Sequence, residues 1–254
     1  WESLHTDPNW PEPAQSLNAE NSRHRQIFIQ NLSDAVNGRA DLLEKIVPDY
    51  PPFAKRMLID NHWCDMLQEE NVELATAGVH EITPKGIIDQ KGDFHEADVI
   101  VFATGFDAGN LLGSLDIHGR SGTSIHDQWG EDPRAYMGMT TPDFPNFFMF
   151  YGPNTNLAHG GSLIFHIECQ SRYITRALMR MIEKGHREIE VRPDVHAAYN
   201  AKVDAEHGNM VWTHPGVTNW YQNSKGRVVT NSPWRLVDYW TMTRNTDLKD
   251  YKIS

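Results

Sequence analysis

Residues 98–106 read Asp98-Val-Ile-Val-Phe-Ala-Thr-Gly-Phe106, and this stretch decides the fold class. The run from Val99 to Ala103 is apolar throughout and rich in β-branched residues, a pattern typical of a strand covered on both faces of an α/β sheet. It stops at Thr104-Gly105, where glycine permits a turn and the close approach of a ligand. Ligands of open α/β sheets lie beyond the carboxyl ends of strands, so the pattern predicts a ligand site or an ordinary glycine turn here.

A second unit of this kind follows downstream. Residues 146–151 are predicted to form a buried strand that ends in Gly152-Pro-Asn-Thr-Asn-Leu-Ala-His-Gly-Gly-Ser162. A long helix is predicted from about Ser162 to Lys184, because apolar residues recur there at helical spacing. The N–H groups and the dipole at its start favour an electron-rich ligand atom, although a purely structural turn fits the same pattern.

The remaining elements place a small helical part first and a β-rich part in the middle. The predicted fold class is therefore mixed α/β, with the long helix after the Gly-Pro-Asn turn. The other predicted elements are a helix capped by Asn21 or Ser22 and ended by Gly38, helices over 41–46, 59–70 and 193–207, strands over 71–76, 94–96 and 188–192, and a hairpin of 79–82 with 86–89.

Two adjacent cations follow a proline pair in Tyr50-Pro-Pro-Phe-Ala-Lys-Arg-Met57, the segment called here the Lys-Arg arm. The prolines predict a stiff, extended segment that presents Lys55 and Arg56 on opposite sides. A solvated basic pair is the simpler interpretation. A pair of solvated surface charges does not, however, require a segment with two prolines and two aromatic residues.

Composition excludes several classes of function. The chain has 254 residues and a net charge of −11, which disfavours nucleic acid as a partner. No apolar run approaches the roughly 20 residues that span a bilayer. Cys64 and Cys169 form no disulfide or CxxC pattern, as expected in a reducing cytoplasm. Residue 1 is Trp and the first Met is Met57, so we expect a piece of a longer protein, cut inside a domain.

Two common cofactor patterns are missing. No two glycines stand two positions apart, so the GxGxxG dinucleotide fingerprint cannot occur in this chain. His159, His166 and Cys169 fall short of the four ligands of a metal site, and no metal is predicted.

Several motifs together resemble the C-terminal part of flavin-dependent Baeyer–Villiger monooxygenases, which are class B flavoprotein monooxygenases. The likeness is closest to the hydroxyacetophenone monooxygenase branch and covers nearly the whole chain. The motifs are the Lys-Arg arm, the stretch at 98–107, Asn71-Val-Glu-Leu74, Ile82-Thr-Pro-Lys-Gly-Ile87, Phe144-Pro-Asn-Phe-Phe148, Gly152-Pro-Asn-Thr-Asn156 and Asn219-Trp-Tyr221.

The resemblance implies a reaction and a set of roles. In the family, NADPH reduces FAD, and oxygen activated on the flavin is inserted into a ketone to give an ester or lactone. Arg56 resembles the active-site arginine beside the flavin, whose permanent charge suits a negative reaction centre. Lys55 resembles the residue that contacts the NADP 2′-phosphate, and Trp220 resembles the tryptophan that contacts the nicotinamide nucleotide. Gly161 and Ser162 would contact the flavin edge, and Thr104 and Gly105 would belong to the strand between the nucleotide domains. The residues expected to border the ketone pocket are Leu157, Ala158 and His159.

The resemblance also implies how the chain is divided. Residues 1–70 would belong to the NADP-domain side and residues 71–254 to the FAD-binding domain, with a lid-like tail. The expected partners are a ketone, O2 and a missing N-terminal dinucleotide-binding portion, and association into homo-oligomers is possible. We expect the isolated chain to be inactive and to bind FAD weakly or not at all. The alternatives are a flavin monooxygenase that oxidises nitrogen or sulfur, and a non-catalytic assembly module.

Overall fold

The structure is a computed structural model that describes residues 1–158 and 160–254. The chain folds into two compact units, each described by itself. The first unit comprises residues 1–22, 50–57 and 107–254, and the second comprises residues 23–49 and 58–106. The division of the chain at residue 70 into an NADP side and an FAD side stays a prediction.

The chain contains both helices and short strands, which confirms the mixed α/β class. Among the described residues, none of the helices is both long enough and apolar enough to cross a bilayer. The elements are α1 (Ala19–Ala35), α2 (Ala40–Ile46), α3 (Trp63–Met66), β1 (Val79–Thr83), β2 (Gly86–Asp89), β3 (Phe94–Glu96), α4 (Ile125–Trp129), α5 (Leu163–Glu183), β4 (Ile189–Val191), α6 (Pro193–His207), α7 (Leu236–Thr243) and β5 (Tyr251–Ile253).

The long helix α5 forms the centre of the first unit, and its prediction is confirmed. The Ser162 hydroxyl accepts a hydrogen bond from the Phe165 amide at 3.2 Å and so caps the helix. Gly185, with φ at +75°, follows its end. The buried face of α5 packs against α7 and against the antiparallel pair β4–β5, where the hydroxyls of Tyr173 and Tyr251 are 3.0 Å apart.

Helix α6 also has the predicted bounds, since Pro193 occupies its first turn and fixes φ there. Tyr199 and Val203 bury its inner face. On its other side the Asp204 carboxylate bridges two arginines, at 2.8 Å from Arg134 and 2.9 Å from Arg227. This bridge connects α6 to the loop before the Gly-Pro-Asn turn and to the tail.

The second unit contains the predicted hairpin and a third strand, in the order β1–β2–β3, all antiparallel. Gly86 pairs with Thr83 at the turn, and a Cβ at position 86 would lie 2.1 Å from the His95 carbonyl oxygen. Only glycine therefore fits where β3 passes β2. A small apolar cluster around Val36, Leu42 and Leu67 packs the helical part of this unit.

The prediction of a strand at 99–103 is wrong. No described strand pairs with this segment, and Val99, Val101 and Phe102 are 78%, 81% and 70% exposed. The apolar pattern is typical of a strand with two covered faces, but a strand also needs hydrogen-bonded neighbours. The described part of this chain does not supply them.

Four other predictions also fail. Residues 146–151 are not a strand, because Asn146 and Tyr151 have φ of +60° and +53°, which breaks the extended conformation. Residues 71–76 pair with no described strand, and the helix predicted over 59–70 is reduced to α3. The first helix starts before its predicted caps, since the Asn18 side chain accepts from the Asn21 amide at 2.9 Å.

Candidate functional site

The Lys-Arg arm is a buried turn that ends in two exposed cations. Its four residues 51–54 are buried, and Phe53 has φ at +71°, so the predicted extended conformation is wrong. Two asparagine side chains hold the turn: Asn21 donates to the Pro52 carbonyl at 3.1 Å, and Asn219 donates to the Ala54 carbonyl at 3.2 Å. The turn therefore fixes the point from which Lys55 and Arg56 leave the surface.

The Arg56 guanidinium lies against the loop that follows the Gly-Pro-Asn turn. Its Nη1 donates to the Leu157 carbonyl at 2.7 Å and lies 3.3 Å from the Ala158 carbonyl. Among the described residues, no carboxylate forms an ion pair with this guanidinium. Neutral carbonyls orient the group but leave its positive charge uncompensated, so the field of the cation is available to a ligand.

Two phenols experience that field. Burial raises the pKa of Tyr151, and burial raises the pKa of Tyr221 to about 12. In both cases the positive charge of Arg56 opposes the rise in pKa, since it favours the phenolate. The Tyr221 hydroxyl is buried without a hydrogen-bond partner among the described residues. The Tyr221 hydroxyl is thus an unused hydrogen-bond donor within the field of the Arg56 cation.

The loop under Arg56 is held from both of its sides. The Tyr151 hydroxyl donates to Asn156 Oδ1 at 2.8 Å and accepts from the Leu157 amide at 3.1 Å. Asn156 in turn donates to Asn231 Oδ1 at 2.8 Å, and its amide donates to the Thr230 carbonyl at 2.9 Å. The carbonyls that receive Arg56 therefore belong to a fixed loop.

A buried histidine lies behind this loop. Trp212 Nε1 donates to His207 Nδ1 at 2.8 Å, so Nδ1 is unprotonated and Nε2 carries the proton that it donates to the Asn231 carbonyl at 3.0 Å. Burial lowers the pKa of His207 to about 4. The ring is neutral at physiological pH and serves as a structural polar group.

A cavity of about 310 Å³ opens next to the loop. Three tryptophans give it apolar walls, and Trp234 is fixed by its hydrogen bond to the Tyr199 hydroxyl at 3.1 Å. This volume is at the lower end of small-molecule pockets. The lining residues are Trp1, Leu4, Leu157, Ala158, Gly160, Gly161, Trp212, Ser232, Trp234, Arg235 and Leu236.

The start of α5 borders the same cavity. Gly161 has φ at +97°, a backbone conformation that favours glycine, and a Cβ there would lie 2.8 Å from the terminal Cδ1 of Leu236, which would have to shift. Ser162 uses its hydroxyl for the helix cap. Gly161 and Ser162 are thus placed beside Leu157 and Ala158, as expected from their sequence proximity.

Trp220 is half exposed next to the arm. Its ring lies 4.5 Å from that of Tyr221, and 45% of the residue remains accessible. The preceding Asn219 donates to the arm at Ala54, which brings Trp220 to the same side of the unit as Lys55. The Lys55 ammonium lies 4.8 Å from the centroid of the Tyr50 ring, a cation–π contact that leaves its donors accessible.

Three assigned residues are not among the described residues of the first unit. Thr104 and Gly105 belong to the second unit, where Gly105 has φ at +82° and open space around it. His159 lies outside the described residues. The sequence interpretation gave no role to Tyr151, Asn219 and Trp234. Asn219 and Trp234 act through hydrogen bonds to residues distant in sequence, and Tyr151 acts through the turn that follows it.

No protein-family model matches the chain. An uncharacterized monooxygenase of Sinorhizobium fredii is 43% identical over 252 residues, which is 99% of this chain and 38% of the relative. A Baeyer–Villiger monooxygenase of Pseudomonas aeruginosa is 34% identical over 215 residues, 84% of this chain and 41% of the relative. The chain spans about two fifths of the length of these relatives.

Solved structures show the same fold. Cyclohexanone monooxygenase bound to epsilon-caprolactone superposes with a TM-score of 0.77 and 26% identity, over 96% of this chain and 45% of that one. The complex of OTEMO with FAD and NADP gives a TM-score of 0.80 at 24% identity, over 94% of this chain and 45% of that one. By sequence and by fold, the chain belongs to the Baeyer–Villiger monooxygenase family, and it corresponds to the C-terminal part of such a protein.

Proposed function

We propose that the protein to which this chain belongs uses FAD and NADPH to insert one oxygen atom of O2 into a ketone, which gives an ester or lactone. The observation that carries the proposal is the Arg56 guanidinium, held at 2.7 Å by a backbone carbonyl and without a carboxylate partner among the described residues. Relatives named Baeyer–Villiger monooxygenase and a relative of Aspergillus niger named FAD-binding monooxygenase support it.

The residues around the cavity fit one edge of a flavin. Gly161 leaves room for close approach, and the start of α5 offers backbone N–H groups to an electron-rich ring edge. A cavity of about 310 Å³ can hold a ring system but not a whole dinucleotide. The bound flavin, once reduced by NADPH, would supply the activation of O2.

Arg56 acts in this proposal by charge and not by proton transfer. A guanidinium keeps its charge at any pH that proteins tolerate, so it can stabilise negative charge that develops on a reacting oxygen. The carbonyls of Leu157 and Ala158 orient it before the ketone arrives. Because no described carboxylate neutralises it, its field at the cavity is not cancelled locally.

The remaining roles are part of the same proposal. Lys55 would contact the 2′-phosphate of NADP, and Trp220 would close over the nicotinamide nucleotide. Leu157, Ala158 and His159 would border the ketone, and Thr104 and Gly105 would lie at the strand between the nucleotide domains. The exposed ammonium of Lys55 and the half-exposed ring of Trp220 support the first two roles.

The chain supplies only part of this machinery. It has no GxGxxG cradle for a dinucleotide phosphate, and it spans under half of the relatives' length. We propose that the other part of the protein holds both dinucleotides. A cytoplasmic location, association into homo-oligomers and closeness to the hydroxyacetophenone branch also stay predictions.

The test uses the full-length protein with FAD, NADPH and a panel of ketones. In the Arg56→Ala variant we expect ester formation to fall by at least about a hundredfold, the cost of losing one preorganised electrostatic group. Reduction of the flavin by NADPH should continue. Arg192→Ala is the matched control, since Arg192 is a surface arginine paired with Asp194 at 2.6 Å.

Normal ester formation by Arg56→Ala would remove this residue from the reaction. A parent enzyme that oxidises thioethers or amines but no ketone would instead support the heteroatom-oxidising alternative. A full-length protein that binds neither FAD nor NADP would support the non-catalytic module.

A further inference from the structure

We propose that Tyr151 is a positioning residue that fixes the orientation of the Arg56 guanidinium through the loop between them. The inference rests on the proposed function, because it assigns Tyr151 a part in the oxidation of the ketone. Tyr151 touches neither the cavity nor Arg56 by a hydrogen bond, so its effect must pass through another residue.

Leu157 is that residue. Its amide donates to the Tyr151 hydroxyl at 3.1 Å, and its carbonyl accepts from Arg56 at 2.7 Å. The two groups belong to one residue, so the backbone dihedral angles of Leu157 relate the position of the phenol to that of the guanidinium. If the amide turns away from the phenol, the carbonyl that holds Arg56 also changes direction.

The Tyr151 hydroxyl uses its proton and one of its lone pairs. It accepts one hydrogen bond and donates another to Asn156 Oδ1 at 2.8 Å, so it holds two consecutive residues of the loop. Asn156 is fixed in turn by Asn231. Removal of the hydroxyl would leave the Leu157 amide without this partner, and a buried amide in that state favours any loop conformation that exposes it to water.

Tyr151 is itself rigidly placed. Its amide donates to the Oε1 of Gln170 at 2.9 Å, and Gln170 is fully buried on α5. The ring meets His166 of the same helix edge-on, at 6.4 Å between centroids. Its φ of +53° is unusual for an aromatic residue and persists only where the surroundings determine it. The phenol is therefore a fixed point built on the central helix.

A hydroxyl that merely stabilises the fold is the competing interpretation. The chain offers a matched control for it in Tyr136, a buried tyrosine whose hydroxyl donates to Asp250 at 2.8 Å within the tyrosine cluster around α5. Tyr136→Phe removes the same atom and, with it, a hydrogen bond to a carboxylate. It does so without a contact to the loop at 156–158.

The experiment compares full-length parent, Tyr151→Phe and Tyr136→Phe, each with FAD. Amide hydrogen exchange at Leu157 is measured by mass spectrometry on peptides that span residues 152–162. The rate of ester formation and the rate of flavin reduction by NADPH are measured separately. In Tyr151→Phe we expect exchange at Leu157 to rise and ester formation to fall, each by about tenfold, the upper range for one buried hydrogen bond. Flavin reduction should change by less than about twofold, since Arg56 acts after that step.

Three results would overturn the inference. One is a Tyr151→Phe enzyme with parental exchange at Leu157 and parental ester formation. Another is an equal loss of ester formation in Tyr136→Phe, which would indicate a general effect on folding. If the parent forms no ester from any ketone, the proposed function fails first and the positioning role fails with it.

Discussion

Acid should destabilise this chain through the buried ring of His207. Both ring nitrogens are satisfied only in the neutral form, because Nδ1 accepts from Trp212 and Nε2 donates to the Asn231 carbonyl. A second proton would have to be placed on Nδ1, directly against the indole N–H. Protonation therefore requires the ring to leave its position.

The size of the effect follows from the two pKa values. The unfolded chain binds the proton with the ordinary pKa of 6.5, and burial lowers the folded value to about 4. Above pH 6.5 neither state is protonated and His207 has no pH-dependent effect. As the pH falls from 6.5 to 4 the unfolded state gains the proton first, so stability is lost across this window. At pH 5 the loss relative to pH 8 is about 2 kcal/mol, and below pH 4 it levels off at about 3 kcal/mol.

The assay measures the urea midpoint of the parent and of His207→Gln between pH 8 and pH 4. The variant lacks the titrating ring, so the difference in the free energy of unfolding between the two should change by about 2 kcal/mol from pH 8 to pH 5. A constant offset at all pH values reports only the lost hydrogen bonds. NMR titration of the His207 Cε1 proton gives the folded pKa directly.

Two results would refute the reasoning. A His207 signal that titrates near pH 6.5 would mean that the ring is not held in its neutral form. Parallel loss of stability in parent and variant would mean that other groups cause the acid sensitivity. His166 is a candidate for part of that background, because burial lowers its pKa to about 4 as well.

Two further predictions concern the elements that carry the site. Asp204→Asn should lower the free energy of unfolding by about 1–3 kcal/mol, because it leaves Arg134 and Arg227 side by side without their shared carboxylate, in a partly exposed setting. The urea midpoint measures this, and an equal effect of Asp194→Asn at the surface would contradict it. Ser162→Ala should cost about 1 kcal/mol through the lost cap of α5, whereas Ser162→Asp should retain most of the stability. Equal thermal midpoints for the two variants would count against the cap.

Helices α5 and α6 were predictable because their signals are local. The apolar spacing of α5 and the proline at the start of α6 specify both elements within a few residues. The hairpin of β1 and β2 was equally accessible, because Gly86 marks a turn that no other residue fits. In each case the information lies within one element or between adjacent ones.

The segment at 99–103 shows the limit of predicting a strand from a local sequence pattern. Its residues have the composition of a strand buried on both faces, yet Val99 and Val101 lie in solvent and no described strand pairs with them. A sequence pattern describes the surroundings that a segment requires, and those surroundings need not belong to the chain in hand. The relatives are more than twice as long as this chain, so we infer that the other part of the protein supplies them.

The position of Arg56 could be expected from its motif, but the way it is held could not. Its partners are backbone carbonyls about a hundred residues away in sequence, and a carbonyl has no residue-type signature. Tyr151 was hidden for a similar reason, since its phenol acts only once the turn has folded back on itself.

The acid-sensitive ring and the active-site candidate belong to one network of hydrogen bonds. From His207 the network passes to Asn231, then through its side chain to Asn156, to the Tyr151 hydroxyl, to the Leu157 amide, and from the Leu157 carbonyl to Arg56, with no step longer than 3.1 Å. Each member has a fixed donor or acceptor role, so the displacement of one changes what its neighbour can bind. Displacement of His207 by acid would release the Asn231 carbonyl and loosen the loop below Arg56. The placement of Arg56 and the acid stability of the chain therefore depend on the same hydrogen-bonded polar groups.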